Sequence, residues 1–308
     1  MKHLRTIIVS VMLCATTAMY GVSSFIELSV GGGWSTLAYG LSNKTQPNLS
    51  MRQTGSYGLN GHIGYGLQFT RMIGAGVGVD IARYGATALM SGEAQWLGVT
   101  DSEGELYNHF TTVHRWADRQ QLWMIEIPIS LYLRFPVGQD ARLYGQIGVK
   151  PCIPVIAKAE YSGSLTHRGE YTPWGMTLND VPNHGFYSSE PESIYALKTQ
   201  LTVAAFVKLG IEAPVDNNHN IWLYGAIGGT FHFMSAIPMQ ETATPIGWRN
   251  DTSDEANRQA HAFMNDYSSV LATEIVTDKA LPIAVGAEIG VRFRIPHARI
   301  ERCHCDTD

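Results

Sequence analysis

Charged residues are scarce in this chain, at 16% of its 308 residues, where soluble domains carry about 25%. A disordered chain would be rich in charge and poor in aromatic residues, so an aromatic content of 10% argues against disorder. Repeated apolar runs of about 20 residues, which a helical membrane protein needs, are missing. A basic excess is missing too: 22 basic and 27 acidic residues give a net charge of −5, so we expect no nucleic-acid partner.

The chain is instead rich in glycine and aromatic residues while its mean hydropathy stays near zero. It has 31 glycines, 14 tyrosines, 10 phenylalanines and 7 tryptophans, with a mean hydropathy of −0.05. Its four cysteines are too few for a disulfide scaffold. The fold must therefore explain a sequence that is low in charge without being hydrophobic on average.

The N-terminus has the pattern of a secretory signal peptide. Lys2 and Arg5 form a basic start, residues 7–15 are apolar, and small residues follow. We expect residues 1–24 to be a cleaved signal peptide, and a single N-terminal membrane anchor is the alternative. A lipid anchor is not expected, because no small residue directly precedes Cys14.

The rest of the chain alternates between apolar and polar residues with a period of two. Near the end, Ile283, Val285 and Ile289 fall on one face, whereas Glu288 and Arg292 fall on the other. Successive side chains of a strand point to opposite faces, so this pattern predicts strands with one apolar face. Eight segments show it: 25–39, 55–69, 72–87, 120–135, 141–157, 195–212, 220–237 and 281–295.

Three observations favour a membrane barrel over a soluble sandwich. The predicted strands run about 15 residues, where the usual mode is about 5–6. Short turns alternate with long loops at 40–54, 88–119, 158–194 and 238–280, as in outer-membrane barrels. Aromatic residues cluster at strand ends and predict two girdles. The predicted girdle residues are Trp34, Phe69, Trp123, Phe135, Tyr195, Phe231, Phe233 and Phe293.

The predicted fold class is therefore all-β: an antiparallel up-and-down transmembrane β-barrel of eight strands over residues 25–296. Three prolines resist this picture, because Pro128, Pro151 and Pro154 lie within predicted strands and cannot donate to the ladder. Bulges would accommodate them. The alternatives are that the fifth strand leaves the membrane near Lys150, or that the barrel has ten strands and uses part of 238–280.

Charged residues recur on the faces that would point into the barrel. An eight-stranded interior is just filled by side chains, and an uncompensated buried charge is costly. We therefore predict an ion-pair network that plugs the lumen, with a water-filled slit as the alternative. The predicted network residues are Glu27, Asp80, Glu126, Arg134, Arg142, Lys150, Lys198, Lys208, Glu212, Glu288, Arg292 and Arg294.

A search for catalytic chemistry predicts no catalytic residue and no cofactor. The His-x-Ser pair of one class of barrel deacylases does not occur, and His62 and His232 are expected to hydrogen-bond inside the lumen. The glycine-rich run 74–78 lacks the Gly-Lys-Ser/Thr of a phosphate loop. Acidic and histidine residues in the predicted loops show no distinctive spacing: Asp101, His109, His114, Asp118, His184, Asp254 and His261.

No metal site is predicted either. The triplet Cys303-His304-Cys305 offers three ligands, which alone do not close a structural zinc site. We expect residues 297–308 to form a disordered periplasmic tail, and Cys152 to be an isolated small side chain.

The chain resembles the small outer-membrane β-barrels similar to the N-terminal barrel of OmpA, especially those of Bacteroides-like bacteria. The resemblance covers 25–296 and is carried by FIELSVGGGW at 25–34, repeated GxGxxxxF-like patterns, and AVGAEIGVRFRI at 284–295. It implies a Gram-negative outer-membrane location, and a last strand that barrel-insertion machinery recognises at Phe293. OmpA-like proteins continue into a peptidoglycan-binding domain that is not in this sequence, so wall binding is not part of the expectation.

The expected function is that of a non-enzymatic integral outer-membrane protein, structural or partner-binding, that acts through its long loops. Long loops on a rigid scaffold are where binding normally resides. Expected partners are outer-membrane lipids or lipopolysaccharide, the insertion machinery, and an envelope protein at the loops or tail. The alternatives are a narrow pore or accessory subunit of a transport or secretion complex, and a lipid A-modifying barrel enzyme.

Overall fold

A computed structural model describes residues 23–41, 48–101, 104–138, 140–238, 246–249, 264–267, 269–272 and 279–295. Nearly all of the predicted signal peptide, the tail at 297–308 with its Cys-His-Cys triplet, and much of 238–280 lie outside the described residues. Asp254 and His261 do so as well.

Fourteen strands and three short 3-10 helices make up the described secondary structure. The strands are β1 (Ser23–Ala38), β2 (Leu49–Gln68), β3 (Ile73–Thr100), β4 (Leu106–Glu126), β5 (Ile129–Val137), β6 (Ala141–Tyr171), β7 (Met176–Leu178), β8 (Ser188–Ser189), β9 (Glu192–Ala196), β10 (Thr202–Pro214), β11 (Ile221–His232), β12 (Ile246–Arg249), β13 (Met264–Tyr267) and β14 (Leu281–Ile295). The 3-10 helices are Thr172–Trp174, Pro182–His184 and Val270–Ala272. Among the described residues, no helix has the length and apolar character to cross a membrane.

The long strands close into a ring in which every neighbouring pair is antiparallel. Pairing runs from β1 through β2 and β3 to β4 and β5, which lie end to end against β6. It continues through β10 and β11 to β14, and β14 pairs back with β1. The predicted antiparallel up-and-down barrel is confirmed. Within the described residues the ring takes no strand from 238–280, where β12 and β13 pair with each other.

The three prolines lie where the ladder is interrupted. The chain breaks between β4 and β5 at Pro128, whose carbonyl still accepts a hydrogen bond from Gly78 N at 3.0 Å. Opposite that break, Pro151 O accepts from Ile127 N at 2.9 Å. Pro154 lies beside a bulge, because the register between β4 and β6 shifts by one residue there. Bulges and a strand break therefore accommodate these residues within the ring.

The outer surface of the ring carries an apolar belt. On β1, the outward face between Ile26 and Trp34 spans nine residues, close to the roughly 9–11 that a membrane strand needs. The belt covers 26–34, 57–69, 73–83, 123–137, 143–156, 203–211, 221–231 and 283–295. Apolar side chains that are at least 40% exposed on it include Ile26, Leu28, Val30, Ile63, Val79, Ile81, Leu131, Ile147, Val207, Leu209, Leu223, Ile227 and Ile289.

Four strands continue far beyond the belt and form a head. The head comprises 49–56 of β2, 84–100 of β3, 106–122 of β4 and 157–171 of β6, together with β7, β8 and β9. The predicted loops 88–119 and 158–194 are therefore largely strand. From Trp123 to Leu106 the head extends roughly 55 Å along β4, at about 3.3 Å per residue.

The patterning of the strands inverts where the head begins. On β3 the run of exposed apolar residues ends at Ile81, and from Ala82 to Met90 the apolar side chains at even positions point inward. On β4, Trp116 is fully buried and stacks on Tyr161 of β6 with ring centroids 5.1 Å apart. The head thus has polar outer faces and an apolar core, like a soluble domain. This explains why its strands did not match a membrane pattern.

Candidate functional site in the barrel interior

The first interior cluster lies toward the end of the barrel with the short turns. Glu27 of β1 and Arg292 of β14 are register partners, and both point inward. Arg292 Nε donates to Glu27 Oε2 at 3.0 Å, and its Nη1 contacts Glu212 Oε2. Arg134 Nε lies 3.1 Å from Glu212 Oε1. All four side chains are buried, so two carboxylates and two guanidiniums neutralise one another across the barrel.

Tyrosines complete the hydrogen bonding of this cluster. Tyr132 OH donates to Glu27 Oε2 at 3.1 Å, and Tyr224 OH donates to Glu27 Oε1 at 2.5 Å. The Arg292 guanidinium lies 4.3 Å from the ring centres of both Tyr144 and Tyr224. Glu27 therefore gains neutral donors as well as a cation, as a buried carboxylate requires.

The second cluster lies at mid-height and is centred on Lys150. Its ammonium donates to Asp80 Oδ2 at 2.7 Å and to Glu126 Oε2 at 2.8 Å. His62 Nδ1 contacts Asp80 Oδ1, so the predicted lumen histidine holds one of these carboxylates. Tyr84 OH donates to Glu126 Oε1 at 2.6 Å. This cluster is buried throughout.

A third ion pair stands beside a small cavity. Lys208 of β10 donates to Glu288 of β14 at 2.7 Å. The cavity has a volume of about 70 Å³ and is lined by these two residues, by Glu126 and Lys150, and by glycines of β1, β2 and β14. It is large enough to hold a few waters.

Ten of the twelve predicted network residues come together in ion pairs, and two do not. Arg142 contributes a long pair, with Nη1 3.9 Å from Glu212 Oε1. Lys198 is exposed, because β10 begins only at Thr202 and the alternation does not extend back to it. Arg294 is exposed at the end of β14. The paired residues are Glu27, Asp80, Glu126, Glu212, Glu288, Arg134, Arg142, Lys150, Lys208 and Arg292.

The predicted girdle residues lie on the outer surface with one exception. Tyr195 of β9 packs against the apolar core of the head, because its register partner Ala159 points inward. Trp123 is partly buried at the boundary between belt and head. The exposed members are Trp34, Phe69, Phe135, Phe231, Phe233 and Phe293.

Comparison with known proteins identifies no family. No family model matches the chain, and no curated protein matches it. Among solved structures, Neisserial surface protein A aligns over 90% of this chain and 100% of its own, at 12% identity and a TM-score of 0.36. Ail of Yersinia pestis, the attachment invasion locus protein, aligns over 90% and 100%, at 10% identity and a TM-score of 0.27. The NalP translocator domain from Neisseria meningitidis aligns over 96% of each chain, at 8% identity and a TM-score of 0.21.

These similarities are too weak to support an argument. The assignment of a barrel rests on the closed strand pairing, and the resemblance to OmpA-like barrels stays a prediction.

One group of side chains in the interior has the composition of a metal site. The ligand atoms of Glu126, Cys152 and His232 lie within 4.8 Å of one another, and all three residues are buried. However, the Lys150 ammonium already occupies the position of a cation against Glu126. The Cys152 thiol donates to the Lys150 carbonyl at 3.1 Å. This arrangement is that of a satisfied ion pair.

Two buried histidines, His109 and His167, lie in the head outside the belt. Thr111 Oγ1 lies 2.9 Å from His167 Nδ1 and 3.3 Å from His109 Nε2. Burial lowers the pKa of His109 to about 3 and that of His167 to about 4, so both rings are neutral at pH 7. They pack with aromatic rings, which is a structural role.

Asp118 attaches the segment 269–272 to the head. Its Oδ2 accepts from Ser269 Oγ at 2.8 Å and from Val270 N at 2.6 Å. Val270 and Leu271 are buried in the apolar core of the head. Burial raises the pKa of Asp118 to about 6, although the hydrogen bonds from Val270 and Ser269 oppose that rise.

Sequence reasoning did not identify the tyrosines that complete the clusters. Tyr84, Tyr132 and Tyr224 stand on inward faces by the same alternation that identified the charges. A search for polar aromatic residues on charged faces would have found them.

Proposed function

We propose that the protein is an integral barrel of a Gram-negative outer membrane, with a lumen plugged by side chains and a head that binds a partner outside the cell. The observation that carries the proposal is the inversion of patterning along the strands. In the belt the apolar residues point outward and the charged residues inward, and in the head this order reverses. A single chain with both patterns fits a body in lipid and a head in water.

The belt supports the membrane location. A continuous band of exposed apolar side chains around a closed ring would be an aggregation hazard in water. In lipid it is favourable, and ring closure leaves no backbone group unpaired at a sheet edge. An antiparallel barrel with short turns at one end and longer extensions at the other matches the outer-membrane arrangement, in which the longer extensions face outside.

The ion-pair clusters support a plugged lumen. Five carboxylates and five cations pair across the interior in the described residues, so the network is neutral overall. A buried, hydrogen-bonded ion pair resists separation, because removing one partner leaves the other as an uncompensated buried charge. The cavity beside the Lys208–Glu288 pair is small, at about 70 Å³, which supports an interior filled mainly by side chains.

The head supports partner binding. At its far tip, apolar side chains stand exposed on neighbouring hairpins: Leu97 is 64% exposed, Leu106 57% and Trp174 56%. Trp174 stacks on Tyr171 at 5.4 Å, and Tyr171 stacks on Tyr107 at 5.1 Å, so the tip rests on a rigid aromatic column. Exposed apolar residues held on a rigid support are typical of protein interaction surfaces.

Planar-bilayer recording tests the plug. The purified protein should insert without sustained single-channel conductance, and it should show heat-modifiable migration in gels. Sustained channels that disappear when Arg292 or Glu288 is neutralised would refute the plugged lumen and favour the narrow pore. A mature protein that stays soluble without detergent would refute the membrane location.

Site-specific photocrosslinking on intact cells tests the head. A photoreactive residue in place of Trp174 should give a discrete crosslinked partner. The matched control is the same residue in place of Thr70, in a short turn at the opposite end. Equal products from both positions, or none from Trp174, would contradict partner binding through the tip.

A further inference from the structure

We propose that the mouth of the barrel at the short-turn end is a binding site for a phosphate-class oxyanion. A cavity of about 960 Å³ opens there, and its wall carries the guanidiniums of Arg71, Arg134, Arg142, Arg292 and Arg294. Glu212 is the carboxylate among the lining residues. The proposal concerns the opposite end of the molecule from the head; it shares Arg134, Arg142, Arg292 and Glu212 with the ion-pair network, but it requires neither a closed lumen nor a head partner.

The charge at this mouth is not balanced locally. Arg134, Arg142 and Arg292 all approach Glu212, so one carboxylate faces three guanidiniums. Glu27 relieves only Arg292. The interior as a whole is neutral only because the mid-height cluster has the opposite imbalance, with two carboxylates around one ammonium. The mouth therefore has a surplus of positive charge.

Two of these guanidiniums keep unused donors. Arg134 is only 5% exposed, and its Nε, which lies 3.1 Å from Glu212 Oε1, forms an ion-pair contact without a hydrogen bond. Arg142 Nη1 stands 3.9 Å from Glu212 Oε1, which is beyond hydrogen-bond distance. The Arg142 side chain is 40% exposed, so an oxyanion in the cavity would replace water as the acceptor of its N–H groups.

The guanidiniums are held in place by contacts that leave their N–H groups free. Arg142 lies 4.0 Å from the ring centre of Trp222, and the Trp222 indole donates to His219 O at 2.9 Å. Arg134 lies 4.6 Å from the ring centre of Phe25. Stacking on an aromatic face orients a guanidinium without using its donors. The mouth is thus arranged before any ligand arrives.

The donor set matches a tetrahedral oxyanion. Guanidinium forks bind phosphate through paired hydrogen bonds, and such charge-assisted bonds are roughly twice as strong as neutral ones. Two sources offer this chemistry at the mouth: free phosphate in solution, and the headgroup of a phospholipid at the short-turn end of the belt, where Phe69 is exposed.

Phosphate titration of the full-length barrel in neutral detergent tests the proposal. Inorganic phosphate is added at constant ionic strength against chloride, and binding is followed by calorimetry and by tryptophan fluorescence, because Trp222 contacts Arg142. We expect saturable binding that Arg142→Gln weakens at least tenfold. Arg294→Gln, at the rim, should weaken it several-fold.

Arg115→Gln is the matched control, since Arg115 is an exposed arginine on the head. It should bind phosphate like the unmodified protein. Heat-modifiable migration shows that each variant is folded.

Mass spectrometry of the purified protein separates the two sources. A phospholipid that is retained by the unmodified protein and lost in Arg142→Gln identifies the headgroup as the source. Phosphate binding without retained phospholipid identifies the free anion. The proposal is overturned if neither is observed, or if Arg142→Gln and Arg115→Gln bind phosphate equally.

Discussion

Lys150 is the residue whose removal should cost the barrel most. Its ammonium is the cation between two buried carboxylates, 2.7 Å from Asp80 Oδ2 and 2.8 Å from Glu126 Oε2. Lys150→Met keeps the length of the side chain and removes the charge. Both carboxylates then remain in the interior, with His62 and Tyr84 as their remaining close polar contacts.

The expected loss is about 3–5 kcal/mol in the free energy of unfolding. Breaking a buried ion pair by removing one partner costs about that much, because the other charge is left uncompensated. Counting bonds gives a similar figure: two charge-assisted hydrogen bonds at about 1.5–3 kcal/mol each are lost.

Equilibrium unfolding in guanidinium chloride, in detergent or lipid vesicles, measures this loss. Lys198→Met is the matched control, because Lys198 is exposed and makes no ion pair with the described residues. It should change stability by no more than about 0.5 kcal/mol, as is usual for surface substitutions. Adding Asp80→Asn and Glu126→Gln to Lys150→Met should recover more than half of the loss, because the remaining penalty comes from stranded charge.

A small effect would refute this reasoning. If Lys150→Met unfolds within about 0.5 kcal/mol of Lys198→Met, water reaches the carboxylates, and the interior is the water-filled slit of the alternative prediction. If the triple variant is less stable than Lys150→Met, the loss comes from packing and not from charge.

Three further predictions concern the head and one glycine. Burial raises the pKa of Asp118 from 3.8 to about 6, so the folded head binds this proton more tightly than the unfolded chain does, which stabilises the head by up to about 3 kcal/mol below pH 4, and this gain is lost as pH rises through 6. Raising the pH from 5 to 8 should therefore favour the folded head of Asp118→Asn by more than that of the unmodified protein, as measured by hydrogen exchange corrected for intrinsic rate, and equal shifts would contradict this. His109 and His167 have lowered pKa values, so their effect on the stability of the head has the opposite pH dependence. Their contribution to stability is complete above about pH 6.5 and is lost as pH falls toward 4. Protease should therefore cut the head faster at pH 4 while the belt stays protected, and unchanged resistance would contradict this. A Cβ at Gly290 would overlap the Tyr224 ring, so Gly290→Val should destabilise the barrel by about 1–3 kcal/mol in the same unfolding assay. Gly225→Val is the control, because a Cβ at Gly225 meets only a carbonyl oxygen at 4.0 Å. It should cost less than half as much.

The belt and its interior were predictable because one rule governs both. Alternation with a period of two fixes the side on which each residue lies, and short turns make neighbouring strands pair in order. Glu27 and Arg292 are 265 positions apart, yet parity alone places both inside. Parity does not predict which charges pair with each other. That depends on the register between neighbouring strands, which sets how far each residue lies along the barrel axis.

The head was not predictable by the same rule, because its apolar face changes sides. On β3 the apolar residues occupy odd positions up to Ile81 and even positions from Ala82 to Met90. If one continuous lipid-facing set of apolar residues is assumed, the change from odd to even positions looks like the end of the strand. The predicted loop 88–119 is the result, although the ladder between β3 and β4 continues with register shifts.

The errors at Tyr195 and Lys198 share one cause. The pattern over 195–212 was treated as one strand, but Glu192–Ala196 is a separate strand paired to the upper part of β6, and β10 begins at Thr202. Residues on the two sides of this break belong to different ladders, so parity does not carry across it. Composition gives no signal for such a break.

The reversal at Ile81 and Ala82 also bears on how the proposed plug would fail. Below this level the interior is closed by ion pairs, and above it by an apolar core in which Trp116, Leu122 and Met124 are fully buried. Water that enters the interior below this level still meets a layer built mainly of apolar side chains, whose buried carboxylate Asp118 is already held by Ser269 and Val270. The ion-pair network and the apolar core each close the interior at a different level, so loss of the ion pairs alone need not open a continuous channel. A charge-neutralised variant such as Lys150→Met would therefore lose stability before it gains conductance, and stability measurements report on the ion-pair network more directly than channel recordings do.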